Sequence, residues 1–309
     1  MSKSYDETMP QVSVVIPLYN KAPYIRRALD SVFAQSYQDY EVIVVDDGST
    51  DNGPEKVMSY SDPRLRLIRQ ANAGPGAARN SGVAQSHAEY LTFLDADDEW
   101  LPGYLQKVMC LRERHPDCEV FVSNWIADFS THPGGLRNIN VGNYMEKEEG
   151  VYFSGKWRME NTIKKSELRL ITSRFCTPST SCTKNIFSKH QGFGTESKLG
   201  EDWTLWLKFI FCETIFFIKE PLVYVHDEAS NLSRYGDQNQ GLELYYYKYE
   251  NIMCACPDNY KHLLKKWFVL RALQSAHNRL VYKKHDDVYY LLNNFRLLQP
   301  YTCYSYIKL

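Results

Sequence analysis

Along its first hundred residues the chain alternates short apolar runs with stretches whose apolar positions recur at helical spacing. Val12–Ile16 is a continuous β-branched run stopped by Pro17, and Ile25, Leu29, Val32 and Phe33 follow at i, i+4, i+7 and i+8. Val42–Val45 repeats the first pattern and closes on Asp46-Asp47-Gly48-Ser49, a turn sequence. A helix is predicted from about Pro54, proline being suited to a first helical turn. Leu65–Ile68 reads as a strand, Ala77–Ser86 as a helix of small residues, and Tyr90–Leu94 as a fourth strand. Continuous rather than alternating apolar runs, separated by helices, predict βαβ units and a mostly parallel sheet covered on both faces. The fold class is α/β.

Beyond Trp100 the pattern loosens. A helix is expected from Pro102 to about Arg114, a strand over Val120–Ile126, and an excursion or acceptor-side loop over 128–160, which is rich in Gly, Asn and charge. Trp203–Phe211 reads as an aromatic helix, Ile215–Ile218 and Leu222–Val225 as two further strands, and the chain after Gly241 as helical. The division this suggests is a polar tail over 1–10, an α/β domain over 11–235 with halves meeting near residue 100, and a helical extension over 236–309.

Composition mostly excludes. With 36 Lys and Arg against 37 Asp and Glu, the net charge of −1 gives no electrostatic ground for a nucleic-acid partner. Mean hydropathy is −0.46 and no apolar stretch approaches the length of a spanning helix, roughly 18 residues. The polar, acidic start Met1–Gln11 lacks the apolar core of a signal peptide, so a cytoplasmic location is expected. Eight scattered cysteines then read as reduced thiols, and Cys254-Ala-Cys256 has no second pair to complete a zinc site.

Candidate chemistry gathers after the predicted strands, where parallel sheets bind ligands. Tyr19-Asn20 follows the first, Asp46-Asp47 the second and Asp95-Ala96-Asp97-Asp98 the fourth, while Asn72-Ala73-Gly74-Pro75-Gly76 leads into a helix N-terminus, a place favourable to anions. Carboxylates converging where a phosphate also binds call for a cation, and Mg²⁺ or Mn²⁺ held by one or two carboxylates plus phosphates resolves the conflict. Each piece has a plainer reading: a turn with a helix cap at Asp46–Ser49, a solvated acidic loop at Asp95–Asp98. The Gly74-Pro75-Gly76 segment lacks the dinucleotide fingerprint, since Arg79 stands where its third glycine belongs and the segment follows the third strand.

Taken in order, these pieces resemble the family 2 glycosyltransferases of the GT-A fold. The resemblance runs from Val12-Ser13-Val14-Val15-Ile16-Pro17-Leu18-Tyr19-Asn20 through Val44-Val45-Asp46-Asp47-Gly48-Ser49-Thr50-Asp51, Asn72–Asn80 and Phe93–Asp98. It resumes at Gly192-Phe193, Gly200-Glu201-Asp202-Trp203, Leu222–His226 and Ser230–Ser233, covering about residues 11–235. It implies an inverting, metal-dependent transferase that moves a sugar from a nucleotide-diphosphate sugar, a UDP-sugar first, to a saccharide or lipid-linked acceptor. By position, Pro17, Tyr19 and Asn20 would line the base pocket, and Asp47 would hold the nucleoside with Arg79 nearby. Asp95-Ala96-Asp97 matches the DxD motif, with Asp95 toward the ribose and Asp97 on the metal. His226 matches a histidine at the metal or diphosphate, with a hydrogen-bonded structural histidine as the alternative. Asp202 matches the general base, with a helix cap as the alternative. A nucleotidyltransferase would carry a basic Gly-rich loop where Leu18-Tyr19-Asn20 stands, and an aspartyl phosphatase a Thr where Glu99 stands. A non-catalytic nucleotide-sugar-binding protein is the remaining rival. Finally, residues 241–309 carry ten Lys and Arg against five acids, with Lys265-Lys266 and Lys283-Lys284 among aromatics. Such helices either pack inward with lysines solvated or dock peripherally on an anionic membrane face.

Overall fold

The computed structural model describes residues 9–128, 150–154, 175–196, 200–226 and most of 249–272. Its sheet is built first from β1 (Val12–Leu18), β2 (Tyr40–Asp46), β3 (Leu65–Arg69) and β4 (Tyr90–Phe93). These four are mutually parallel in the order β3-β2-β1-β4. Their apolar runs are continuous because both faces are covered: Val12, Val14, Ile16 and Leu18 pack on one side, and Val15 on the other. On the first side lie α1 (Ile25–Phe33), α2 (Gly53–Met58) and α4 (Tyr104–Arg114), through Ile25, Leu29, Val57, Leu105 and Val108. On the second lies α3 (Pro75–Ala84), whose Gly82 lets it close onto β1: a Cβ there would collide with Val15. The connection therefore changes face between β1 and β4, placing the switch point where their carboxyl ends meet.

The sheet continues antiparallel into β8 (Thr180–Thr183), then β6 (Val120–Asp128), β9 (Thr214–His226) and β5 (Glu99–Trp100), with β7 (Gly150–Ser154) also on β9. The two predicted strands at 215–225 are one. β9 pairs parallel with β6 throughout, but Ser123 faces Ile218 and Asn124 faces Pro221, so Lys219 and Glu220 bulge out. Pro221 cannot donate to a ladder, which favours a bulge at that point. Two short helices complete the second face, α5 (Lys184–Lys189), capped by the Thr183 hydroxyl, and α6 (Glu201–Cys212). Aromatic rings fill this side: Phe93, Phe187, Phe193, Trp206 and Phe209 interlock with centroids 5.0–5.8 Å apart. Helix α7 (Tyr249–Ala255) and the helical residues 264–269 add Ile252, Leu264, Trp267 and Phe268 to the same core, while Lys265 and Lys266 are exposed. Among the described residues no helix is long and apolar enough to cross a membrane.

Candidate active site

The carboxyl ends of β1, β2 and β4 open into one cleft, and the loops there are fixed by their own acidic and amide side chains. Asp46 Oδ1 accepts from the Ser49 amide at 2.9 Å, making the turn after β2. Asn20, at φ +51°, accepts from the Thr50 amide at 2.8 Å and donates its own amide to the Ser49 hydroxyl at 3.1 Å. The loop bearing Pro17, Tyr19 and Asn20 is thereby tied to the loop after β2, with Tyr19 40% exposed at the cleft mouth. Asp47 is buried and accepts from the Ala73 amide, the Gly74 amide and the Gln70 side chain at 2.7–2.9 Å. Its carboxylate thus shapes the 70–74 loop at the start of α3, and a base hydrogen-bonding there would share it with those donors.

Deeper in, Arg79 of α3 is the hub. It is 4% exposed, with Nη2 2.6 Å from Asp95 Oδ1 and Nη1 2.9 Å from Glu201 Oε1, and its guanidinium lies 5.1 Å over the Phe193 ring. Burial alone would lower its pKa, but Asp95 and Glu201 hold it above the usual arginine value. One side chain therefore binds the loop after β4 to the first turn of α6. Asn80, the next residue, clamps Phe193 reciprocally, donating to its carbonyl at 2.9 Å and accepting its amide at 3.0 Å. Gly76 has no room for a side chain, since a Cβ would meet the Gly194 carbonyl oxygen and Glu201. These contacts explain why an Asn72–Asn80 segment, a Gly-Phe pair and a Gly-Glu-Asp triplet far apart in sequence form one unit.

Asp202 lies in the first turn of α6 but is not its cap, a position held by Gly200 in the left-handed region at φ +71°. Its Oδ1 accepts from the Trp203 amide at 2.7 Å, and Thr177 donates to its Oδ2 at a long 3.4 Å. Desolvation raises the pKa of Asp202, opposed by Arg79 and reinforced by Asp95. Glu201 is raised too, by burial and then by Asp202. A carboxyl lifted toward neutrality is suited to proton transfer near pH 7. Thr177 comes from a 3₁₀ turn, Thr177–Ser179, held by Trp100 donating its ring N–H to the Pro178 carbonyl at 2.8 Å. Thr-Pro was the only sequence signal for it.

In the loop after β4, Ala96 is buried, and Asp97 Oδ2 pairs with Lys21 Nζ at 2.6 Å. His226 reaches the same loop one step further along. Its amide donates to Asp98 Oδ1 at 2.9 Å and its ring Nε2 lies 3.1 Å from Glu99 Oε1. The structure thus unites Arg79, Asp95, Asp97 and Asp202, and sets His226 on Asp98 and Glu99 rather than on Asp97. Among the described residues no three His, Cys, Asp or Glu side chains converge as a ready metal cage. Four carboxyls (Asp95, Asp97, Glu201, Asp202) nonetheless form one electrostatically linked group with Arg79 and Lys21. One or two carboxylate oxygens suit Mg²⁺ or Mn²⁺ completed by phosphates and water. The donor chemistry fits.

The sheet order, the switch-point cleft and the acidic loop define a GT-A-type fold. The sequence profile of glycosyl transferase family 2 matches residues 13–183, more than half of the chain, and the chain belongs to that family. An uncharacterised glycosyltransferase of Rickettsia typhi is 29% identical over 222 residues, covering 71% of this chain and 65% of its own. A putative glycosyltransferase of Bacillus subtilis, EpsH, is 35% identical over 155 residues, 48% of this chain and 44% of its own. An uncharacterised glycosyltransferase of Nostoc is 43% identical over 102 residues, 32% of each chain. The chain thus spans between a third and two-thirds of these relatives. Among solved structures, S. aureus TarS 1-349 in complex with UDP-GlcNAc superposes with a TM-score of 0.68 at 19% identity, covering 92% of this chain and 80% of that one. The mannosyltransferase PcManGT of Pyrobaculum calidifontis, in complex with GDP-Man and Mn²⁺, gives 0.52 at 16% identity, covering 94% and 83%.

Proposed function

We propose that the chain is an inverting glycosyltransferase that moves a sugar from a nucleotide-diphosphate sugar, a UDP-sugar first, to a hydroxyl of a saccharide or lipid-linked acceptor in cell-surface glycan synthesis. The observation that carries this is the Arg79 bridge, which holds the loop of Asp95 and Asp97 against the helix turn of Asp202. A diphosphate anchor and a general base belong side by side in such a reaction. Asp202, its pKa raised by burial, takes the proton from the acceptor hydroxyl as that oxygen attacks the anomeric carbon. Arg79 holds Asp95 and Glu201 in place through its two ion pairs, while Pro17, Tyr19 and Asn20 orient the base, positioning being a large part of such catalysis. Asp97 would hold Mg²⁺ or Mn²⁺, which would supply Lewis-acid compensation for the charge on the departing diphosphate. The TarS and PcManGT complexes with UDP-GlcNAc and with GDP-Man and Mn²⁺ support this choice of donor class and metal.

Hydrolysis and transfer measured across UDP-, GDP- and dTDP-sugars with Mn²⁺ or Mg²⁺ test the reading. Turnover of one donor class, lost in Asp97→Ala and in excess chelator, is expected. Binding without turnover under every donor and acceptor condition would favour a nucleotide-sugar-binding protein instead. Peripheral contact with the cytoplasmic membrane face through residues 241–309, which lie largely outside the described residues, is tested by co-sedimentation with anionic vesicles; no preference over neutral vesicles rules it out.

A further inference from the structure

Lys21 directly follows Tyr19-Asn20, and none of the roles above uses it. Its Nζ is 2.6 Å from Asp97 Oδ2, with each side chain only 15% exposed. Arg27 of α1 holds the same residue from behind, its Nη2 donating to the Asp97 main-chain oxygen at 2.6 Å. The two carboxylates of the loop thus have counter-ions of different kinds. Asp95 is paired with a buried guanidinium anchored at two ends, Asp97 with an ammonium on a flexible four-carbon stem.

A hard cation at Asp97 and the Lys21 ammonium compete for one carboxylate oxygen, and like charges at contact distance in a site shielded from water repel strongly. We propose that Lys21 is an internal counter-ion of Asp97 that a divalent cation must displace, so that it sets the metal affinity of the free protein and couples metal binding to donor binding. This rests on the reading of Asp97 as the metal anchor. Once displaced, the ammonium stays beside the cleft, where the charge of a bound nucleoside diphosphate takes it up. Metal and diphosphate therefore bind cooperatively, each raising the affinity for the other by the same factor.

The test is Mn²⁺ binding to the full chain, followed by the electron paramagnetic resonance signal of free Mn²⁺, with and without UDP. Lys21→Met is expected to bind Mn²⁺ at least fivefold more tightly than wild type without UDP, and to gain less from adding UDP. Equal or weaker Mn²⁺ binding by Lys21→Met overturns the role of Lys21 but leaves the metal reading standing if UDP still enhances binding to wild type. No Mn²⁺ binding by either protein, with or without UDP, overturns both. A measurement on the unaltered chain guards against a variant that fails to fold. Modification of Lys21 by an amine-reactive reagent, read by peptide mass spectrometry, should rise severalfold on saturation with Mn²⁺ alone over the ligand-free chain; no change overturns the proposal.

Discussion

Arg79 is the residue on which most of the cleft depends. Removing its guanidinium leaves Glu201, 7% exposed, and Asp95 without their shared counter-charge, and breaking a buried pair from one side typically costs ~3–5 kcal/mol. Arg79→Met should therefore lower the unfolding free energy extrapolated from urea denaturation by that amount, and Arg79→Lys, which reaches one carboxylate but not both, by less. Asp202→Asn makes the opposite prediction. It keeps the hydrogen bond to the Trp203 amide, so stability and UDP affinity should hold in calorimetry while transfer falls ~10²–10⁴-fold. Loss of UDP binding instead would make Asp202 part of the donor pocket. At this scale the sequence was partly legible. Asp95 and Asp97 stood out because polar residues end an apolar run, whereas Arg79 and Asp202 were marked by position in the family resemblance. Lys21, Glu201 and Thr177 did not stand out, because their importance lies in a partner between 25 and 122 positions away.

At the scale of elements, the end of the sheet opposite the cleft is held by a polar knot as well as by the packing of Val12, Tyr40 and Tyr90. Glu41 of β2 accepts from the Ser13 hydroxyl of β1 at 2.7 Å, from Arg66 of β3 at 2.6 Å and from the His87 amide before β4 at 2.6 Å. All four parallel strands meet on this one carboxylate. Burial opposes its ionisation, but these hydrogen bonds prevail and bring its pKa down to about 2. A folded-state value below the unfolded one means stability present above about pH 4.3 and lost as pH falls toward 2, with roughly 2–3 kcal/mol at stake. Stability measured from pH 7 to pH 3 should therefore fall less steeply in Glu41→Gln than in wild type, from a lower starting point at pH 7. An equal slope in the two proteins would assign the acid sensitivity elsewhere. The strands joined by this knot are those whose continuous apolar runs made them readable. The elements the sequence hid are short, or take their pairing from distant partners: β5 is two residues long, and β8 is a polar Thr-Ser-Cys-Thr strand between β4 and β6. The bulge that joins 215–218 to 221–226 looked like a break because Pro221 reads as one.

At the scale of the whole molecule, the described part of the C-terminal region packs into the core of the α/β fold. Phe268 and Leu264 are fully buried, Trp267 packs on Trp203 of α6 with centroids 5.7 Å apart, and Arg271 lies over both indoles at 5.6–5.7 Å. Trp203 follows Asp202, so the C-terminal helical residues brace the turn that carries the candidate base. No periodicity could have revealed that attachment, because helical spacing gives an apolar face without saying what covers it. Phe268→Ala removes a fully buried ring from the core containing Trp206 and Phe209, and such truncations cost ~3–5 kcal/mol. If the region is structurally continuous with the α/β core, the loss must appear in the main unfolding transition. Near-ultraviolet circular dichroism and far-ultraviolet helicity should shift together to lower denaturant, in one step. An independently folded extension would instead give a second, earlier transition in Phe268→Ala, with the main one unmoved. Under the single-transition outcome Phe268→Ala should also weaken transfer more than donor binding, because the brace it loosens bears on α6 and Asp202 while the nucleotide loops of β1 and β2 lie on other elements.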